Sequence, residues 1–158
     1  MLDFDSLYRE HAPAVHRFVL ALSGDAAAAD DVTAETFVRV WSTRDRIRHE
    51  TVRAFLFTIA RRLWLQGVRG RWRARPLVDE HLDRSPDPEA RAASRVEWER
   101  MRRRLARLDL DDRAALLMRA DALSYEEIAR VLDISAGAAK VRVHRARKRL
   151  RTDMGEMR

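Results

Sequence analysis

The chain has 158 residues, no cysteine, and 32 basic against 25 acidic residues, which gives a net charge of +7. The lack of cysteine excludes disulfides and thiolate metal sites, and no apolar run reaches membrane-spanning length, so we expect a cytoplasmic protein without membrane insertion. The basic balance favours a polyanionic partner, nucleic acid ahead of an acidic membrane surface. Few glycines and prolines predict an all-α chain.

Two helices are predicted first in the chain. Apolar residues recur at helical spacing over 5–22, and Pro13 is expected to kink or split this helix. Residues 23–25, Ser-Gly-Asp, combine a helix stop with a new start, and a second helix is predicted over 27–42. Its inward-facing residues are predicted to be Val32, Phe37, Val40 and Trp41.

A polar loop over 43–50 should precede a third helix over 52–71, capped by Thr51. The predicted core face of this helix is Phe55, Leu56, Ile59, Ala60 and Leu63. A basic run without acids follows: Arg61, Arg62, Arg69, Arg71, Arg73 and Arg75. Trp64 and Trp72 are interleaved with these arginines, so one interpretation is a surface that binds single-stranded nucleic acid. A core role for Trp64 is the other.

Residues 76–94 hold three of the four prolines and lack periodicity, which predicts a linker and a domain boundary. Asp87 and Pro88 also suit the N-cap and first position of a helix that continues to about Leu108. Asp111 is a candidate cap for the next helix.

Residues 124–151 predict a helix-turn-helix. Ser124 and Glu127 have capping-box spacing, and Asp133 and Ser135 offer turn and N-cap chemistry before a second helix. An apolar stripe on that second helix comprises Ala139, Val143, Ala146 and Leu150. Its opposite face is centred on Val141, His144, Arg145 and Lys148, flanked by Lys140, Arg142, Arg147, Arg149 and Arg151. Because acids prevail over 109–135, the positive charge is local, which favours a DNA-binding helix over a merely solvated one.

Three motifs resemble the extracytoplasmic-function (ECF) group of bacterial sigma-70 factors. They are ADDVTAETFVRVW over 29–41, RAFLFTIAR over 53–61, and the stretch 123–150. The resemblance implies two small helical domains joined by a flexible linker. Region 2 would occupy residues 1–75, the linker residues 76–94, and region 4 residues 95–158.

The resemblance also implies partners and site residues. The partners would be the β′ and β subunits of core RNA polymerase, promoter DNA, which the protein would help to melt, and an anti-sigma factor. Polymerase-binding residues would be Asp31, Glu35 and Arg39. The -10 element would contact Arg61, Arg62, Gln66, Arg69 and Arg71. The -35 element would contact Lys140, Arg142, His144, Arg145, Lys148 and Arg149.

Some residues depart from the family pattern: Ala34, Arg62, Gln66, Asp133, the pair Ala138-Ala139, and Val141. They leave the promoter sequence open. Val141 can offer only an apolar contact, for instance to a thymine methyl.

Two other functions fit the sequence. A conventional helix-turn-helix regulator would bind duplex DNA without polymerase, and a helical adaptor would use its basic face on an acidic partner. The five histidines are scattered, and no catalytic triad, phosphate-binding loop or metal-ligand spacing occurs. We therefore expect neither an enzyme nor a cofactor.

Overall fold

The computed structural model describes residues 3–48, 52–68 and 87–156, in which seven α-helices and no strands occur. The helices are α1 (Phe4–Ser23), α2 (Ala26–Ser42), α3 (Val52–Leu63), α4 (Pro88–Ala106), α5 (Leu110–Ala120), α6 (Tyr125–Leu132) and α7 (Ala136–Glu156). A 3-10 turn (Arg44–Arg46) follows α2, and a π-helical turn (Trp64–Val68) extends α3. The all-α prediction is confirmed. Among the described helices, none has the length and apolar character needed to cross a membrane.

The predicted stop and start between α1 and α2 is confirmed. Gly24 ends α1 with φ 71°, and its N–H donates to the Leu20 carbonyl at 2.8 Å. Asp25 begins α2 by accepting from the amides of Ala27 and Ala28. A Cβ at Gly24 would lie 2.9 Å from Cδ of Arg102 on α4. Glycine therefore suits the left-handed cap and leaves room for the Arg102 side chain.

Pro13 does not split α1, which is helical from Phe4 to Ser23. Pro13 is exposed, and so is Arg9. The Arg9 carbonyl would accept a hydrogen bond from the backbone amide of residue 13, but proline has no such N–H. Water can hydrate that carbonyl, so the helix continues through the proline.

The predicted core face of α3 was partly wrong. Phe55 is 36% exposed, whereas Phe57, which was not predicted, is fully buried with its ring centroid 5.0 Å from that of Phe18. The reason is that α3 packs against α1 and α2 and also against α6, so more than one stripe of the helix is covered. Trp64 belongs to the core, in agreement with the second interpretation of this residue.

The start of α4 is confirmed, because Asp87 caps the Glu89 amide and Pro88 occupies the first turn. Residues 88–94 of the predicted linker are therefore helical. At the next helix Asp109, not Asp111, holds the N-cap position. Asp111 instead accepts a hydrogen bond from Arg61 of α3. The predictions for Thr51, Arg69, Arg71, Trp72, Arg73, Arg75 and residues 76–86 lie outside the described residues.

The two halves of the molecule pack against each other, which the sequence did not predict. One continuous apolar core joins α1–α3 to α5–α7. Among the described residues, three ion pairs cross this boundary: Arg53–Glu127 at 2.6 Å, Arg61–Asp111 at 2.7 Å and Arg17–Asp121 at 2.8 Å. We call this arrangement the closed form.

Glu127 gives the closed form a dependence on pH. Hydrogen bonds from Arg53 lower the pKa of Glu127 from 4.5 to about 2, opposed by burial and assisted by the Ser124 amide. The stabilisation is complete above pH 4.5 and is lost as the pH falls towards 2. Glutamine at position 127 can keep the helix cap. We expect Glu127→Gln to lower the free energy of unfolding by about 2 kcal/mol at neutral pH, after allowance for solvent screening.

Chemical denaturation of both proteins between pH 7 and pH 2 measures this effect. The difference in free energy of unfolding should shrink as the pH falls through that window. A difference that does not change with pH would show that the Glu127 charge contributes nothing.

Candidate nucleic-acid interface

The helix-turn-helix is built by local hydrogen bonds. The Ser124 hydroxyl accepts from the Glu127 amide at 3.1 Å, and the Glu127 carboxylate accepts from the Ser124 amide at 2.9 Å. Asp133 ends α6 with φ 55°, a conformation that aspartate tolerates better than most residues. The Ser135 hydroxyl then accepts from the Ala138 amide at 3.0 Å and begins α7. The predicted capping box, turn and N-cap are all confirmed.

Helix α7 presents two different faces. Ala139, Val143 and Ala146 are fully buried, and Leu150 is partly buried, as the stripe predicted. The opposite face borders a shallow cavity of about 450 Å³, lined by Gly137, Lys140, Val141, His144, Arg145 and Lys148. Val141 is 60% exposed there. The structure thus brings most of the predicted -35 residues together on one open face, with Arg149 also exposed.

Two arginines of α7 bind an aspartate that the sequence analysis missed. Arg145 donates from Nε and Nη2 to the two carboxylate oxygens of Asp112, each at 2.7 Å. Arg142 donates to the same carboxylate at 2.9 Å and approaches Asp109 and Asp111 at 3.5 and 3.9 Å. No spacing in the sequence relates α5 to α7, so only their packing reveals the contact.

The predicted -10 residues do not share one environment. Arg61 is engaged with Asp111 across the domain boundary, whereas Arg62 and Gln66 are exposed. Arg69 and Arg71 lie outside the described residues. Trp64 is buried and cannot stack on a base in this arrangement.

The predicted polymerase-binding residues share an exposed face of α2. Asp31, Glu35 and Arg39 are all exposed, and Glu35 and Arg39 form an ion pair at 3.0 Å. Val38, 62% exposed, adds an apolar side chain to this surface. Phe37 is buried, with its ring 5.0 Å from that of Tyr8. The inward aromatic side of α2 therefore holds the outward face in place.

The family profile for Sigma-70 region 2 matches residues 7–74, and that for Sigma-70, region 4 matches residues 98–150. The two matches, with the helix-turn-helix in the second, define a sigma-70-type protein. Sequence relatives include two proteins described as ECF RNA polymerase sigma factors. SigE of Mycolicibacterium smegmatis is 34% identical over 96% of this chain and 61% of its own length. SigL of Mycobacterium tuberculosis is 35% identical over 96% of this chain and 89% of its own length.

The chain belongs to the ECF sigma factors. It spans less than two thirds of the SigE relative and most of SigL. Solved structures that are similar over almost the whole chain include members of two complexes. The sigma factor RpoE in complex with the anti-sigma factor NepR from Bartonella quintana has a TM-score of 0.73 at 26% identity, covering 99% of both chains. CnrH in complex with the cytosolic domain of CnrY has a TM-score of 0.74 at 27% identity, covering 97% of this chain and 88% of CnrH.

Proposed function

We propose that this protein binds core RNA polymerase, directs it to a specific class of promoters and helps to open them, without catalysis of its own. Region 2, proposed as residues 1–75, would bind the β′ subunit through α2 and the -10 element through the surface around α3. Region 4, proposed as residues 95–158, would contact the β subunit and read the -35 element. Residues 76–94 would connect them. Its site of action is the cytoplasm, where the polymerase is.

The observation that carries this proposal is the open basic face of α7. Lys140, His144, Lys148 and Arg149 are exposed on a helix whose other side is anchored by fully buried residues. Such a helix, presented by a helix-turn-helix, fits the major groove and its flanking phosphates. The family membership then distinguishes this function from the conventional regulator, which would have no need of region 2.

We further propose that the closed form opens on promoters. Elements centred near -35 and -10 are separated by about 25 base pairs, or about 85 Å of B-form DNA. A compact chain of this length has a radius of gyration of about 15 Å, too small to touch both elements at once. Residues 69–86 connect the two halves in the chain and could span at most about 60 Å if fully extended, so they would allow the halves to separate along the DNA. Separation of the two halves would also free Arg61 from Asp111.

An anti-sigma factor is the proposed regulatory partner. The support is that the similar RpoE structure is a complex with one. A partner that favours the closed form would keep α3 engaged with α6 and so withhold the -10 surface.

The test is run-off transcription across a genomic promoter library, with bacterial core polymerase in the presence or absence of this protein. We expect protein-dependent transcripts whose promoters share two spaced elements. Tight duplex binding without polymerase, together with no protein-dependent transcripts, would support the conventional regulator instead. DNA binding that is insensitive to salt, or the lack of any DNA binding, would support the helical adaptor.

A further inference from the structure

The contact between Arg145 and Asp112 leaves one edge of the guanidinium unused. An arginine side chain has five N–H donors. In Arg145 the Nε–H and one Nη2–H donate to the Asp112 carboxylate, each with an N···O distance of 2.7 Å. Of the three remaining donors, one on Nη1 and one on Nη2 form the Nη1–Nη2 edge, and the side chain is 57% exposed on the open face of α7.

Asp112 is itself held from a second side. Its side chain is only 7% exposed, and Arg142 donates to the same carboxylate at 2.9 Å. Arg142 is less accessible, at 26% exposed, and lies among Asp109, Asp111 and Asp112. Hydrogen bonds from Arg145 and Arg142 keep the pKa of Asp112 below its ordinary value, although burial opposes this. The carboxylate is therefore a fixed, charged support on the helix that precedes the helix-turn-helix.

We propose that Asp112 is a positioning residue for base recognition: it fixes the guanidinium of Arg145 so that its free edge pairs with O6 and N7 of a guanine in the -35 element. The inference rests on the proposed function. Guanine presents these two acceptors side by side in the major groove, and a bidentate arginine is their matching donor. A guanidinium that is already oriented loses less conformational entropy when it binds. Arg142, by this inference, supports Asp112 more than it contacts phosphate.

A merely structural role is the competing explanation, in which Asp112 only ties α5 to α7. The two roles differ in what they do to base preference. If Asp112 only connects α5 to α7, its loss lowers the melting temperature and weakens recognition of all sequences equally. A positioning role affects discrimination at one base pair.

The experiment uses the full chain with core polymerase on a promoter library randomised across the -35 element. The variants are Asp112→Asn, Arg145→Lys, and Arg130→Lys as the control at an exposed arginine of α6 that is not among the proposed -35 contacts. Lysine keeps the charge but cannot pair bidentately. Because Arg145 is largely exposed, Arg145→Lys should fold even if Asp112→Asn does not.

We expect the wild-type protein to enrich guanine at one position about tenfold to a hundredfold. Arg145→Lys and Asp112→Asn should both reduce that enrichment while preferences elsewhere persist, and Arg130→Lys should not change it. The inference is overturned if either variant keeps the guanine preference, or if transcripts start without any guanine preference in the wild type. If no protein-dependent transcripts form at all, the proposed sigma function fails and this inference with it.

Discussion

Replacing Glu35 by Arg is expected to weaken core polymerase binding at least tenfold and to abolish most protein-dependent transcription. Glu35 lies in the middle of the exposed polar face of α2, between Asp31 and Arg39. The substitution removes a negative charge, breaks the pair with Arg39 and places like charges one turn apart. Reversal of a charge at an interface commonly costs about 2 kcal/mol or more.

The fold should survive this change, since an exposed helix pair of this kind contributes only about 0.5 kcal/mol. The measurement is core affinity by fluorescence anisotropy, alongside thermal melting. Glu97→Arg is the matched control, because it makes the same reversal at an exposed position on α4. Normal core affinity of Glu35→Arg would place the docking face elsewhere on the molecule.

Replacing Arg53 by Glu is expected to open the closed form. Arg53 donates to both oxygens of Glu127, at 2.9 and 2.6 Å, and also to the Ala122 carbonyl. A glutamate here would face the Glu127 carboxylate across the boundary between the two halves. Loss of a buried ion pair costs about 3–5 kcal/mol, and partial exposure reduces this to about 2 kcal/mol. That corresponds to a shift of more than tenfold towards the open form.

The absence of cysteine makes a distance measurement direct, because introduced cysteines are the only labelling sites. Spin labels at Arg9→Cys on α1 and Arg147→Cys on α7, both exposed, report the separation of the halves. We expect longer distances in Arg53→Glu than in the otherwise native protein. Arg130→Glu reverses an exposed charge on α6 and should leave these distances unchanged. Core polymerase and promoter should lengthen the native distances as well, and unchanged distances in both cases would contradict the proposed opening.

Local signals were sufficient wherever one segment decides its own structure. The capping box at Ser124, the stop at Gly24 and the buried stripe that begins at Ala139 were all predictable. Each depends on hydrogen bonds or periodicity within a few residues. The predicted -35 residues followed from the helical phase and charge of α7, whereas the predicted polymerase-binding residues came from a resemblance carried by residues 29–41, 53–61 and 123–150. The roles of their individual residues remain predictions.

Contacts between distant segments were not predictable. Phe55 and Phe57 are both aromatic on one helix, and only the packing of α3 against α1, α2 and α6 decides which of the two is buried. Asp111 has the sequence context of a helix cap, yet its partner is Arg61, fifty positions earlier.

The sequence by itself determined the all-helical class, the caps at Gly24, Asp25, Asp87 and Ser124, the basic face of α7 and the family, because these depend on local backbone chemistry and side-chain order. Only the tertiary structure decided that the two halves close on each other and that Asp112 holds Arg145. An ion pair depends on distance in space, and the fold sets that distance between residues far apart in the chain. The same carboxylates could otherwise have been solvated charges on a helix end.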